Sequence, residues 1–424
     1  MEQSFSFHYG NHTIPLTVRA EHIDVLDAVM PPPLQDLAGA FRMAVEENAI
    51  GTKPLRCLLA AHDAVTIVIS DLTRAWMHQE RICPLLVEYL HNVVGIPYEN
   101  LLFLVALGTH RPQTEQELRT LTGDFVFDRV KVINHDACKP LVHIGTTVRG
   151  TNVMVNPLVV GRKVILVGGT VHHLLAGYGG GRKSILPGVA GELTIQQNHI
   201  HALHPVLAKS DDAVGCGKLH GNPVHEDMME AAEMVAPIFG INLVVDGGGN
   251  HVALPSGHYV QAWEKSCRLV DRYNGVPIAQ KYDAVIASCG GFPKDLNLYQ
   301  SSKTMINAYQ AVKNGGRLVF LSECCEGGGP PAFFDWNRYQ CEGTLDRHLR
   351  QNFTIAGYIF YVCCEIALHT DLHMLSRIPP ETLAAMRIHG HAAPASLQPL
   401  LDFGGQRIAV MPHGANTVPI LQQN

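Results

Sequence analysis

Three apolar runs, broken only by Thr66, stand out along the chain: residues 65–69 (VTIVI), 101–106 (LLFLVA) and 164–167 (VILV). Short runs without a polar position suit strands buried on both faces, as in parallel sheets. Between the runs the period changes. Residues 34–48 carry apolar positions at helical spacing, with Gly51 as a stop signal just beyond. CPLLVEYLHNVV does the same, with Pro84 near its first turn. The N-terminal SFSFHYGNHTIPLTV instead reads as two short strands around Gly10 and Asn11, a hairpin signal. INLVVDGGGNHVAL (241–254) reads as a second hairpin with a glycine turn, and residues 260–275 as a helix. Near 282 a new unit begins: a strand at 283–287, a helix over 299–313, and a strand at 317–321 after two glycines. That is a βαβ unit, and it places a second α/β region at about 280–400. GGGPP at 327–331 reads as a loop, and RIAVM at 407–411 as a last strand. Strands alternating with helices predict an α/β fold with parallel-rich sheets.

Each of the first three strands ends in a polar loop: Ser70-Asp71-Leu-Thr73-Arg74, then Leu107-Gly-Thr-His110-Arg-Pro, then Gly168-Gly-Thr-Val-His-His173. Open α/β sheets bind ligands outside the carboxyl ends of their strands. Asp71, Arg74, His110 and His173 are therefore expected around one cleft. An Asp or Thr there could simply cap a helix, but capping does not account for an arginine and a histidine at successive strand ends. After His173 come the glycines 179–181, then Arg182 and Lys183. Consecutive glycines can turn backbone N–H groups toward an anion, and the two cations would add to it. A glycine turn that only caps a helix would read the same way. His173 lies ten residues before Lys183, and His199 sixteen after it.

Composition narrows the class. At 424 residues, two domains are expected. A net charge of −6 gives no pull toward nucleic acid or anionic membrane. No run reaches the ~18 apolar residues that span a bilayer, and MEQSFSFHYGNH does not read as a signal peptide. The 11 cysteines include no CxxC, which argues against a disulfide framework or zinc ribbon and for buried thiols in the cytoplasm. The 24 histidines make chance clusters common. In His199-Ile-His201-Ala-Leu-His204 only His201 and His204 share a helical face, so one ligand fits better than three. Imidazoles at His110 and His173 suit proton transfer near neutral pH, and Arg74 offers a fork for a carboxylate. Tyr299 and Lys303 share a face at a helix start, with Gln300 between them. A lone Lys303 would ordinarily be a solvated surface lysine.

Taken in order, these pieces resemble the nickel-dependent lactate racemase family. The matching set is Ser70-Asp71-Leu-Thr73-Arg74, Gly108-Thr-His110-Arg111-Pro112, His173 through Gly177, Gly180-Gly181-Arg182-Lys183 and Pro187-Gly188, His199, Gly221-Asn222, Gly290-Gly291-x-Pro293-x-Asp295, and Tyr299-Gln300-x-x-Lys303. The resemblance implies two α/β domains with the active-site cleft between them. Residues 1–278 with 404–424 would form a cofactor-binding catalytic domain, the last strand returning to it, and residues 279–403 a second domain supplying substrate contacts. It implies a nickel-pincer nucleotide (pyridinium-3,5-bisthiocarboxylic acid mononucleotide nickel), with Lys183 as the position of a covalent link and His199 as the nickel ligand. It further implies His110 and His173 as alternate general acid and base. Arg182, Gly180, Gly181, Asp71 and Thr73 would lie beside the cofactor, and Arg74, Tyr299, Gln300 and Lys303 near the substrate.

The implied reaction inverts a 2-hydroxy acid. Hydride leaves the α-carbon for the cofactor and returns to the other face of a planar keto acid, while the histidines exchange the hydroxyl proton. The implied partners are a small-molecule substrate and the enzymes that build the cofactor. Ala75 stands where proline is common, Thr109 where lactate racemase has an aromatic, and Phe353 where a tryptophan lies near the substrate. Lactate, malate, an aryl-lactate and a sugar acid all stay open. Two other classes compete. A histidine-ligated metal hydrolase would bind metal without a nucleotide. A non-catalytic cofactor-binding member would tolerate changes at His110 and His173.

Overall fold

The three apolar runs become Val65–Ser70, Leu101–Ala106 and Lys163–Gly169, neighbours in one parallel sheet of a computed structural model that describes residues 2–422. Val65 pairs with Leu101 on one side and Lys163 on the other. Lys131–Asn134 extends the sheet past Leu101–Ala106, and Phe239–Val245 extends it past Lys163–Gly169, both parallel. Ile67, Phe103, Ile165 and Phe239 are completely buried, against Phe41, Val45, Leu86 and Leu90 from the flanking helices. Burying each such side chain contributes roughly 1.5–3 kcal/mol. The two expected helices form as Leu37–Val45, capped by Asp36, and Cys83–Tyr89, which runs on through a looser turn, Leu90–Val94, to Gly95.

Strand order in this sheet reverses once. From Val65–Ser70 the chain steps outward through Leu101–Ala106 to Lys131–Asn134, then crosses back to Lys163–Gly169 and continues the other way to Phe239–Val245. The carboxyl ends of Val65–Ser70 and Lys163–Gly169 therefore flank the switch point where doubly wound sheets bind ligands. Residues 241–254 are a hairpin only at their far end. Phe239–Val245 is mainly a parallel strand, and its last residues meet His251–Ala253 in antiparallel register.

The chain divides into two units. This sheet belongs to Met30–Ala202 with Asp211–Asp271, and the other unit comprises Met1–Val29, Leu203–Ser210 and Arg272–Asn424. The second sheet is wholly parallel, in the order His389–His391, Asp371–Leu375, Val312–Leu321, Tyr282–Ser288, Arg407–Met411, His22–Val25. The hairpin forms as expected, Glu2–Tyr9 against His12–Arg19. Its Phe7, Ile14 and Leu16 are buried with Ile286, Val319 and Ile408 of that second sheet.

The expected division is thus corrected at both ends of the chain. Residues 404–424 do not return to the first domain, and residues 1–29 do not belong to it. Arg407–Met411 is buried between Tyr282–Ser288 and His22–Val25, pairing with both, and Val418–Leu421 pairs with Gly275–Ile278. One side of the second sheet takes up both segments, Arg407–Met411 inside and His22–Val25 at the edge, which the apolar pattern of a single strand does not reveal. Among the described residues no helix is long and apolar enough to cross a membrane.

Candidate functional site

Val65–Ser70 ends at Asp71, which opens the short helical turn Leu72–Met77. Gln79 extends the strand's bonding, accepting from Ser70 N at 3.2 Å and donating to Ser70 O at 2.9 Å. The Asp71 carboxylate is buried, and it takes Thr73 Oγ1–H at 2.5 Å on one oxygen and His110 Nδ1–H at 2.5 Å on the other. Burial pushes this carboxyl up, but the hydrogen bonds from His110 and Thr73 and the nearby charges outweigh it and hold it below the usual range. A carboxylate can only accept, so the neutral His110 ring carries its proton on Nδ1 and its lone pair on Nε2. The His110 side chain is 53% exposed. Arg74 is steadied by Nη1 bonds to Thr73 Oγ1 at 3.0 Å and Thr73 O at 3.2 Å.

Lys163–Gly169 leads into the two-residue pair His172–His173 with Gly177–Tyr178, then into the turn Gly181–Ser184. A Cβ at Gly168 would lie 3.3 Å from Ser70 Oγ and 3.8 Å from Ser184 Oγ, so the Lys183 turn sits over both strand ends of the switch point. Gly108 N donates to Gly188 O at 2.9 Å, tying the His110 loop to the same segment. His173 Nδ1 accepts from Leu175 N at 3.2 Å and Ala176 N at 3.3 Å, which leaves the ring proton on Nε2. That Nε2 lies 2.7 Å from Lys183 Nζ. His199 closes the helix Glu192–His199 and is buried, with Nδ1–H donating to Ile195 O at 2.8 Å. Burial pushes its pKa down to about 3, so it is neutral at working pH with its lone pair on Nε2.

Two expectations about the glycine turn change. Arg182 does not face an anion. It is buried, it donates to Ala176 O at 2.5 Å, Tyr178 O at 2.9 Å and His225 Nδ1 at 3.1 Å, and it lies 4.0 Å over the Trp263 ring. Burial drives even this guanidinium down to about 9. Gly180 and Gly181 are required by packing. Both have positive φ, a Cβ on Gly180 would lie 2.8 Å from Gly169 O, and one on Gly181 would lie 2.6 Å from Trp263 Cγ. Trp263 Nε1 also donates to Gly179 O at 2.8 Å. Asp271 holds the same segment, accepting from Tyr178 OH at 2.6 Å and from His172 Nε2 at 2.9 Å. Sequence reasoning missed Gln79, Trp263 and Asp271. Only Trp263, one of three tryptophans in the chain, carried a compositional signal.

His199, His201 and His204 do not converge. The helix gives way after His199 to a tighter turn, and His204 Nδ1 accepts from Leu207 N at 3.0 Å in the other unit. Among the described residues no three His, Cys, Asp or Glu side chains form a metal-holding group. Tyr299, Gln300 and Lys303 occupy the start of the helix Leu298–Ala311 in the other unit. Asn297 caps it by accepting Gln300 N at 3.0 Å. Tyr299 meets Phe333 edge-on at 6.5 Å, and Lys303 is exposed. Phe353 is buried in the same unit, stacked on Tyr358 at 5.7 Å.

The switch point of this doubly wound sheet thus carries Asp71, Arg74, His110, His173 and Lys183 in the loops after three neighbouring strands, the place where α/β enzymes bind their ligands. The comparisons make the class specific. The family described as "Lactate racemase N-terminal domain" matches residues 9–210, and "Lactate racemase C-terminal domain" matches residues 278–388. The chain is 32% identical over 339 residues to a lactate racemase of Thermoanaerobacterium thermosaccharolyticum, covering 77% of this chain and 78% of that one. It is 30% identical over 292 residues to a lactate racemase of Lactiplantibacillus plantarum, covering 68% and 66% respectively. The solved lactate racemase apoprotein of T. thermosaccharolyticum aligns with a TM-score of 0.87 at 26% identity, over 99% of this chain and 100% of that one. A crystal structure from Thermotoga maritima shares the fold, with a TM-score of 0.65 at 17% identity over 93% of this chain and all (100%) of that one. The chain belongs to the lactate racemase family. It is an isomerase of the racemase and epimerase class that acts on hydroxy acids.

Proposed function

We propose that the protein racemises or 2-epimerises a 2-hydroxy acid with the help of a nickel-pincer nucleotide, His110 and His173 serving as alternate general base and acid. The observation that carries this reading is the opposite tautomers of the two rings. His110 has Nδ1–H fixed on Asp71, so its Nε2 can take a hydroxyl proton, and the imidazolium formed would face the Asp71 charge. His173 accepts backbone N–H groups on Nδ1, so its Nε2 carries a proton to give. One ring ready to accept and one ready to donate is the resting arrangement that inversion through a keto acid needs.

The residues present suit the cofactor. His199 is neutral and locked with its lone pair on Nε2, as a nickel-ligating imidazole must be. His173 Nε2 lies 2.7 Å from Lys183 Nζ, so the position of the proposed covalent link stands beside the second acid/base ring. The cofactor, when bound, supplies the reversible hydride acceptor. Asp71 and Thr73 shape its surroundings, and the backbone at Gly180 and Gly181 sets the turn that presents Lys183. Arg74, pre-oriented by Thr73, would hold the substrate carboxylate. The reading implies a cytoplasmic enzyme that depends on separate enzymes to build its cofactor.

The test is a panel of single-enantiomer 2-hydroxy acids (lactate, malate, an aryl-lactate and a sugar acid), with protein made alongside the cofactor-synthesis enzymes. Inversion at the hydroxyl carbon is expected for one class, and His110→Ala or His173→Ala should lower it by roughly 10²–10⁴-fold. Loaded protein that inverts none of them would sink the proposal.

A further inference from the structure

The pair Gly221-Asn222, singled out in the sequence, has no part in the site described so far. Asn222 is completely buried at the start of the helix Pro223–Val235. Its Oδ1 accepts from Val224 N and His225 N, each at 3.1 Å, which caps the helix. Its Nδ2 donates to Leu175 O at 2.9 Å and to Lys218 O at 3.0 Å. Two N–H groups at one end and two carbonyls at the other allow only this orientation of the amide. Capping needs the oxygen alone, and serine, threonine or aspartate would serve it as well. What asparagine adds is the pair of donors, and one of them goes to the loop of His173.

That loop is a tight turn. His172 pairs with Tyr178 and His173 with Gly177, so residues 174–176 form its tip. Asp271 holds the base, taking Tyr178 OH and His172 Nε2–H. At the tip, Leu175 N and Ala176 N both donate to His173 Nδ1. A trans peptide sets its C=O and N–H in opposite directions. The Leu175 carbonyl and the Ala176 N–H belong to one such peptide. Asn222 draws the carbonyl outward, so the N–H is aimed inward at the ring. Turned over, the same peptide would present Leu175 O to Nδ1, and the ring would have to carry its proton there. The next carbonyls along the loop are held too, Ala176 O and Tyr178 O by Arg182 and Gly177 O by Gly217 N at 3.0 Å. Of these four carbonyls only Leu175 O shares its peptide with an N–H that meets His173.

We propose that Asn222 is a positioning residue for His173. By holding the Leu175–Ala176 peptide it keeps Nδ1 an acceptor, and so sets which ring nitrogen gives and takes the proton. This rests on the reading of His173 as one of two acid/base groups. Asn222 acts through the peptide and not on the substrate.

The test uses the full chain with ¹⁵N-labelled histidine at pH 7.5, beside Asn222→Ser, which keeps a capping oxygen but is too short to reach Leu175 O. The His173 ring signals are those missing from His173→Gln. In the unaltered protein they should show a bare Nδ1 and a protonated Nε2. In Asn222→Ser the two should move toward each other, as in a ring whose proton exchanges between the nitrogens. The His199 signals, fixed by Ile195 O within their own helix, should stay in place and report an intact fold. A protonated Nδ1 in the unaltered protein would overturn the proposal with no variant needed. So would His173 signals that do not move in folded Asn222→Ser. In loaded enzyme, on the hydroxy acid that the panel identifies, Asn222→Ser should lower kcat about tenfold or more with KM within about threefold. It should lower kcat no further in a His173→Ala background. Unaltered turnover in His173→Ala would overturn the acid/base reading, and with it the catalytic meaning of Asn222, whatever the spectra show. If His173→Ala is impaired and Asn222→Ser is not, only the role of Asn222 falls.

Discussion

In one unit His110 rests a ring nitrogen on Asp71 and turns the other outward from a loop. In the other unit His373 rests a ring nitrogen on Asp371 and meets His391 with the other. The local chemistry is the same, an imidazole oriented by a carboxylate, yet the two sites suit different tasks. His110 follows a strand end at a switch point, where its second nitrogen can reach a ligand. His373 lies within a strand, where parallel register has already supplied a ring, His391, to take its second nitrogen in a hydrogen bond. What an oriented histidine can do is set by where the backbone leaves its remaining lone pair.

Replacing the two aspartates separates these roles, and the largest effect is expected first. Asp71→Asn should lower turnover by roughly 10³–10⁴-fold with little change in substrate affinity, because the amide no longer enforces the His110 tautomer. Steady-state kinetics on loaded enzyme would show it, and a loss under tenfold would remove the tautomer from the argument. Asp371→Asn should leave turnover unchanged in the same assay, because Asp371 holds only His373 and Arg317 within the other sheet.

Between these lies a purely structural change. Arg182→Met should destabilise the central unit by about 3 kcal/mol, because the carbonyls of Ala176 and Tyr178 lose buried donors. Urea unfolding measures it directly. A smaller effect follows from pH. The folded Asp71 carboxyl sits below its usual range, so its contribution is fully present above about pH 4 and is lost as pH falls through the folded value. The stability gap between unaltered protein and Asp71→Asn should be flat from about pH 5 to 7 and shrink below about pH 4. The smallest effect is expected at Arg111, whose exposed guanidinium forks onto Glu117 at 2.6 and 2.8 Å. Arg111→Gln should leave activity and Tm within error, although Arg111 stands beside His110 in the motif.

Much of this was legible from residue patterns. The strands before Asp71, before His110 and before His172 announced themselves as apolar runs, and the loops after them carried the unusual polar residues. Partner choice was not legible. RIAVM reads the same in either sheet, and only pairing with Tyr282–Ser288 and His22–Val25, far away in sequence, decides its place. Neither was the direction of adjacent side chains. Arg182 and Lys183 are both cations after glycines, but the positive φ of Gly180 and Gly181 turns one onto Trp263 and leaves the other beside His173. A turn's dihedral angles depend on what it packs against, which composition does not encode.

The placement of His22–Val25 at the edge of a sheet finished by Arg407–Met411 has a consequence for synthesis on the ribosome. A segment made early belongs to the sheet that is completed late. It must wait while roughly 380 residues are added, about 20–80 s at ~5–20 residues per second. Meanwhile the middle of the chain has all the strands of its own sheet. The hairpin's apolar Phe7, Ile14 and Leu16 meet Ile286 and Val319 only late in that interval, and Ile408 at its end. Nascent chains stalled before residue 282 should therefore bind holdase chaperones through the hairpin Glu2–Tyr9 and His12–Arg19, and chains stalled beyond Arg407–Met411 should not.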